Sequence, residues 1–155
     1  AAIERELSAG HDPLLLSGLA LAGANPRAGG AGDDGILTAL EVSHLRLDGV
    51  DLVTLSACDT AQGTAQAGEG VIGLVSAFQM AGARRVVASL WKVDDEATRR
   101  LMLRFYELLD DSQRSRAPDE ALRDAALALR DARAADGTLP YASARFWAAF
   151  VVYGG

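Results

Sequence analysis

The sequence is poor in the residues that mark several large classes of protein. Its 155 residues include a single cysteine, which excludes an internal disulfide framework and predicts a reducing compartment, the cytoplasm. No run approaches the roughly 18 consecutive apolar residues that a membrane span needs, and no signal peptide is visible. Two histidines and one cysteine match no standard metal-site spacing, so we expect no metal or other cofactor.

Basic clusters are also missing. The formal net charge is -6, and no run of lysine or arginine offsets it, which argues against a nucleic-acid partner. What the chain does have is apolar residues, which make up 50% of the sequence and suffice for one domain with one core. The bias towards alanine, glycine and arginine suggests a bacterium with a GC-rich genome.

The apolar pattern predicts strands and helices in alternation. We expect strands at 19–21, 51–58 and 84–91 and in the final run FWAAFVVYG, and helices at 36–45, 70–81, from Asp94 or Asp95 to Leu109, and from Pro118 onward. The spacing between the strands at 51–58 and 84–91 fits a parallel crossover. The sequence therefore predicts an α/β sandwich with a mostly parallel central sheet.

Cys58 ends the most informative of these strands, DLVTLSAC, and a glycine-rich loop follows it. An unbroken apolar run is typical of a strand covered on both faces, and open α/β sheets present reactive groups just beyond the carboxyl ends of their strands. Chemistry is therefore expected at Cys58. The alternative is an inert, buried cysteine, which is the usual role of a lone thiol in a domain of this kind.

A dinucleotide site is a rival hypothesis. The segment GEGVIG at 68–73 satisfies the G-x-G-x-x-G pattern and opens a predicted helix, and Asp94 and Asp95 follow about 20 residues later. The spacing argues against it, because roughly ten loop residues separate the strand from the first glycine where a tight turn is needed. No P-loop lysine follows the glycines either.

Six segments together resemble the C-terminal part of a CHAT domain, a family of caspase-like and separase-like cysteine peptidases that are often joined to TPR repeats. They are SGLALAG, GILTALEV, LVTLSACDT, GEGVIGLVSAFQMAGARRVVASLWKVDDEAT, LMLRFYELL and FWAAFVVYG, in family order. The resemblance implies a caspase-like three-layer sandwich. It also implies that residues 1–155 are the C-terminal part of one CHAT peptidase domain.

The resemblance further implies a cysteine endopeptidase with a Cys-His dyad, in which Cys58 is the nucleophile. The family histidine ends a neighbouring strand and is followed by glycine, a pattern that residues 1–12 do not contain. His11 precedes aspartate, and His44 lies on a predicted helix. We therefore expect the dyad histidine on an upstream segment, with TPR repeats as a further expectation, and little activity from residues 1–155 alone.

The same resemblance assigns substrate recognition to the segment LWKVDD, where Asp95 matches the separase position that holds the arginine before the scissile bond. Cleavage of a protein substrate after Arg or Lys is expected, rather than after Asp as in caspases. The structural alternative is that Asp94 or Asp95 simply caps the following helix.

Three further residues are candidate contributors to substrate binding. Trp91 could line the pocket or pack in the core, Ser89 could offer its backbone to an extended substrate if the strand edge is open, and Glu69 could place negative charge beside the thiol or be a solvated loop acid. A catalytically inactive, caspase-like scaffold or interaction module is the alternative to an enzyme, because the expected histidine is missing from these residues.

Overall fold

Strands and helices alternate along the chain in a mixed α/β fold. The structure, a computed structural model, describes residues 14, 17–21, 24, 35–56, 69–110 and 116–155, with residues 69 and 70 described by their backbone alone. The elements in these ranges are β1 Gly18–Ala20, β2 Ile36–Thr38, α1 Ala39–Ser43, β3 Leu52–Leu55, α2 Glu69–Met80, β4 Arg85–Ser89, α3 Asp95–Leu109, α4 Pro118–Arg130, α5 Ala144–Trp147 and β5 Phe150–Tyr153. No described helix combines the length and apolar character needed to cross a bilayer.

Strands β3, β4 and β5 form one sheet with β4 at its centre. β3 runs parallel to β4 with Leu55 opposite Ala88, which confirms the parallel pair predicted for 51–58 and 84–91. β5 runs antiparallel to β4 with Phe150 opposite Ser89. The prediction of a mostly parallel sheet is therefore too simple for the described strands, which form a mixed sheet. β1 and β2 form a separate antiparallel pair.

Helices cover both faces of the three-stranded sheet. Successive residues of a strand point to opposite faces, and β4 follows this rule because Val87 packs into one core cluster while Val86 and Ala88 pack into the other. All three are fully buried, as the apolar residues at the centre of the predicted strand RRVVASLW indicate. The cluster on the Val87 face includes Leu101, Phe105, Leu122, Ala125 and Leu129 from α3 and α4, and the other includes Ala39, Val42, Leu74, Val75, Ala77 and Phe78 from α1 and α2.

The two helices on the Val87 face begin where the sequence predicts. α3 starts directly after Asp94, whose side chain accepts a hydrogen bond from the Ala97 N–H and so satisfies one of the free donors of the first turn. α4 starts at Pro118, a residue whose fixed φ suits the first helical position. Leu101 and Phe105 are fully buried, which gives α3 its inward face.

The segment 36–45 is predicted as one helix, and this is wrong for its first three residues. Ile36–Thr38 pairs with β1 as strand β2, and only Ala39–Ser43 is helical. The change occurs at Thr38, whose side chain accepts the Glu41 N–H at 3.2 Å while the Glu41 carboxylate accepts the Thr38 N–H at 2.8 Å. This capping box starts α1 at Ala39.

The final run FWAAFVVYG is predicted as a single strand and divides in the same way. Its first two residues belong to the short helix α5, and the strand β5 begins only at Phe150. Trp147 explains part of the difference, because its indole N–H donates to the Ala142 carbonyl at 3.2 Å and holds the chain in a turn.

Candidate functional site

The carboxyl ends of β3 and β4 meet at one edge of the sheet. Because Leu55 lies opposite Ala88 in a parallel pair, the chain leaves both strands in the same direction and at the same level. Cys58 follows the end of β3 by three residues and lies outside the described residues, as do His11 and the side chain of Glu69. The described part of the candidate site is therefore the edge itself and the segment from Ser89 to Asp95.

The antiparallel strand β5 brings a third segment to this edge. β5 starts at Phe150 opposite Ser89, so the residues just before it lie beside the end of β4. Two hydrogen bonds join the segments: the Leu90 N–H donates to the Ala149 carbonyl at 2.8 Å, and the Trp91 indole N–H donates to the Arg145 carbonyl at 3.1 Å. The segment between β4 and α3 is thereby fixed against α5.

Trp91 and Ser89 occupy different environments at this edge. The Trp91 side chain is 41% exposed, so it is not a core residue. Ser89 is buried and pairs with Phe150 as the last residue of β4. Because β4 has β3 on one side and β5 on the other from Val86 to Ala88, an extended substrate has no free strand edge in that range.

The two aspartates before α3 have distinct roles. Asp94 is the N-cap, with its Oδ1 accepting the Ala97 N–H at 3.0 Å. Asp95 is the first residue of the helix and is exposed, and its carboxylate makes no hydrogen bond or ion pair with the part of the chain that the structure describes. Capping therefore accounts for Asp94 and leaves the Asp95 carboxylate available.

A hollow of about 310 Å³ opens beside these aspartates. Lys92, Val93 and Asp94 line it from the β4–α3 link, and Arg145 and Phe146 line it from α5. The Arg145 guanidinium carbon lies over the Phe146 ring, 4.4 Å from its centroid. Asp95 is not part of the lining. Sequence reasoning missed Arg145 and Phe146, because nothing local in the final run places them next to residues 92–94.

Charged side chains brace the first turns of α3. The Glu96 carboxylate accepts hydrogen bonds from Arg99 at 2.8 and 2.9 Å and from Arg100 at 2.7 Å, and these bonds lower its pKa to about 2. Arg100 also lies over the Tyr141 ring, 5.5 Å from its centroid. These contacts tie the beginning of α3 to the segment that leads into α5.

His44 lies away from this edge. It is the C-cap of α1, and the segment after it runs to the amino ends of the strands: the Leu47 N–H donates to the Ala81 carbonyl at 2.8 Å, and the Arg84 N–H donates to the Val50 carbonyl at 3.0 Å. Cys58 follows the opposite, carboxyl end of β3. The described chain thus keeps His44 and the Cys58 edge on opposite ends of the strands.

The segment GEGVIG opens α2, as predicted, but its surroundings differ from those of a dinucleotide loop. Thirteen residues, 56–68, separate the end of β3 from the start of α2, whereas the dinucleotide motif needs a tight turn there. Its last glycine, Gly73, has a packing role, because a Cβ there would lie 2.9 Å from the Ser17 Oγ.

Comparisons of the sequence with known proteins identify its family. The family model for the CHAT domain matches residues 7–155. Tetratricopeptide repeat protein 28 of Mus musculus is 37% identical over 89 residues, which cover 57% of this chain and 4% of that protein, so the chain spans only a small part of this relative. No solved structure gives a significant match. Because the family model covers nearly all of the sequence, the chain belongs to the CHAT domain family.

Proposed function

We propose that the protein is a cysteine endopeptidase of the caspase-like type with Cys58 as its nucleophile. The observation that supports the proposal is the parallel register of β3 and β4, which brings the end of β3, three residues before Cys58 in the sequence, to the same edge as the segment that follows β4. Membership of the CHAT family supports the chemistry and a caspase-like arrangement of the layers. The Cys58 thiolate would attack the peptide carbonyl, and a base would take the thiol proton and return it to the leaving amine.

The base is proposed to be a histidine on a segment upstream of this chain. His44 is a poor candidate because the backbone directs it to the amino ends of the strands. A free thiol with a pKa near 8.5 is only about 3% thiolate at neutral pH, so residues 1–155 alone should have little activity. The relative that carries tetratricopeptide repeats in its name supports the proposal that such repeats accompany this domain.

Asp95 is proposed to bind the side chain of an arginine or lysine before the scissile bond. Support comes from the division of roles at the start of α3, where Asp94 supplies the cap and the exposed Asp95 carboxylate has no partner among the described residues. A carboxylate favours a guanidinium or an ammonium through a charge-assisted contact. Trp91 is exposed in the same segment between β4 and α3 and would contribute an apolar wall.

An inactive, caspase-like scaffold is the second candidate. The observation in its favour is that neither described strand end at the Cys58 edge carries a histidine, since the one described histidine is the C-cap of α1. A scaffold would use the same edge to bind a protein without cleaving it.

Hydrolysis of fluorogenic peptides that end in Arg, Lys or Asp tests both candidates. The full protein should cleave after Arg or Lys, and Cys58→Ala should abolish cleavage. Asp95→Ala should lose the preference for Arg, whereas Asp119→Ala should keep it. Asp119 is a matched control because it is an exposed acid in the first turn of α4, as Asp95 is in α3. Cleavage that survives Cys58→Ala would refute the peptidase assignment, and no cleavage of any peptide would favour the scaffold.

A further inference from the structure

Two cations without carboxylate partners line the hollow beside α3. Lys92 and Arg145 form no ion pair with any described residue, although all five arginines on α3 and α4 do. This is unexpected in a chain with a net charge of -6, where acids outnumber bases. The two cations come from opposite walls of one hollow, which is the arrangement expected of an anion site.

The walls of the hollow are held in place by the protein itself. The bonds from Leu90 to Ala149 and from Trp91 to Arg145 join the two segments that carry the cations. The latter uses the Arg145 main-chain carbonyl and leaves its guanidinium available. A guanidinium over an aromatic ring is weakly hydrated yet keeps its N–H donors for a carboxylate.

Asp94 is the one acid among the described residues that line the hollow. Its Oδ1 accepts the Ala97 N–H, and one carboxylate does not balance two cations, so this described lining is net positive. An arginine side chain would be repelled here. The hollow is therefore distinct from the Asp95 position, which lies outside its lining.

We propose that this hollow binds the carboxylate of a glutamate or aspartate side chain in the protein substrate, through Lys92 and Arg145. The inference deepens the proposed function and rests on it, because it adds an acidic residue to the arginine or lysine that Asp95 would bind. The substrate class is thus a protein segment of mixed charge, with an acidic residue near the basic residue at the cleavage site. A hollow of about 310 Å³ is large enough for such a side chain.

Binding can be measured without catalysis, because Lys92 is the only lysine in the sequence. Reductive ¹³C-methylation labels this side chain and preserves its charge, and loss of the resonance in Lys92→Arg assigns it. The probes are the peptides Ac-Glu-Glu-Glu-Arg-NH2 and Ac-Gln-Gln-Gln-Arg-NH2, added to the full chain carrying Cys58→Ala. The glutamate peptide should shift the Lys92 resonance and the glutamine peptide should not. The shift should be lost in Arg145→Gln and kept in Arg46→Gln.

Arg46→Gln is a matched control because it removes one exposed positive charge from the segment at the amino ends of the strands, away from the hollow. Three outcomes would overturn the proposal. The Lys92 resonance could shift equally with both peptides, it could shift with neither, or its shift could be unchanged in Arg145→Gln.

Cleavage rates separate this inference from the proposed function. For cleavage, the C-terminal amide of each peptide is replaced by a fluorogenic aminocoumarin amide, so that hydrolysis after Arg releases the coumarin amine. The active protein should cleave the glutamate peptide in this form about fivefold faster than the glutamine peptide, and Lys92→Gln or Arg145→Gln should remove most of that preference. Cysteine-dependent cleavage without a preference for glutamate would overturn the inference and leave the peptidase assignment intact. Selective binding of the glutamate peptide without cleavage would support the hollow and count against the peptidase.

Discussion

Mutation of the two adjacent aspartates at the start of α3 should destabilise the protein by different amounts. Asp94→Ala removes the side-chain oxygen that accepts the Ala97 N–H at 3.0 Å, and loss of such an N-cap destabilises a protein by about 1 kcal/mol. The four buried side chains of α3 remain in place, so the helix should persist and the loss should stay close to this figure. In a protein of this size, that lowers the melting temperature by about 3 °C.

Asp95→Ala should lower the free energy of unfolding much less than Asp94→Ala does. Its carboxylate forms no hydrogen bond within the described chain, and its remaining contribution is the attraction of a negative charge to the helix amino end. That attraction is about 0.3 kcal/mol at an exposed position, and salt screens it. The loss of stability in Asp94→Ala should therefore be about threefold larger than the loss in Asp95→Ala, and this ratio should increase with salt concentration.

Urea denaturation of the two variants, at low salt and at high salt, measures this ratio. Unchanged m values would show that each variant unfolds from a similar compact state. The same variants are then compared in peptide cleavage, where Asp95→Ala should reduce the preference for arginine. A larger stability loss for Asp95→Ala than for Asp94→Ala would refute the division of roles between cap and binding residue.

Two further predictions concern acid stability and a tight backbone contact. Arginine hydrogen bonds lower the pKa of Glu96 to about 2, so its stabilising effect is present above its unfolded pKa of about 4.3 and is lost as the pH falls through about 2. The stability difference between wild type and Glu96→Gln should accordingly shrink between pH 5 and pH 2, and a difference that stays constant would contradict this. Gly154→Ala should destabilise more than Gly137→Ala in thermal denaturation. Both glycines have positive φ, which costs an alanine about 1 kcal/mol. Of the two, only Gly154 has a backbone oxygen, that of Arg84, where the added Cβ would lie, so equal losses of stability would refute the contact.

Most of the layered core could be predicted from the sequence because its signals are local. The run RRVVASLW predicts a strand covered on both faces, and β4 is that strand, with Val86 and Val87 fully buried on opposite sides. The sequence also marks where two helices begin: Asp94 caps the start of α3, and Pro118 is the first residue of α4. Each of these features depends on residues within a few positions of one another.

The missed features depend on partners far along the chain. The three residues of β2 form a strand because β1 pairs with them. Their apolar residues also fit the helical spacing of the residues that follow, so the sequence alone predicts one helix over both. The capping box of Thr38 and Glu41 was a local signal that could have placed the start of α1 correctly. The partnership of Trp91 with Arg145 spans 54 positions, and no periodicity in either segment indicates it.

The direction of β5 decides what the candidate site contains. A parallel last strand would place the residues before it at the amino ends of β3 and β4, on the side where Leu47 and Val50 lie. Because β5 is antiparallel, Arg145 and Phe146 instead reach the carboxyl edge, beside Lys92 and the chain that leads to Cys58. The basic hollow therefore exists only because the sheet is mixed. The antiparallel direction of β5, which the prediction of parallel strands misses, therefore gives this edge a positively charged position in addition to the negatively charged Asp95.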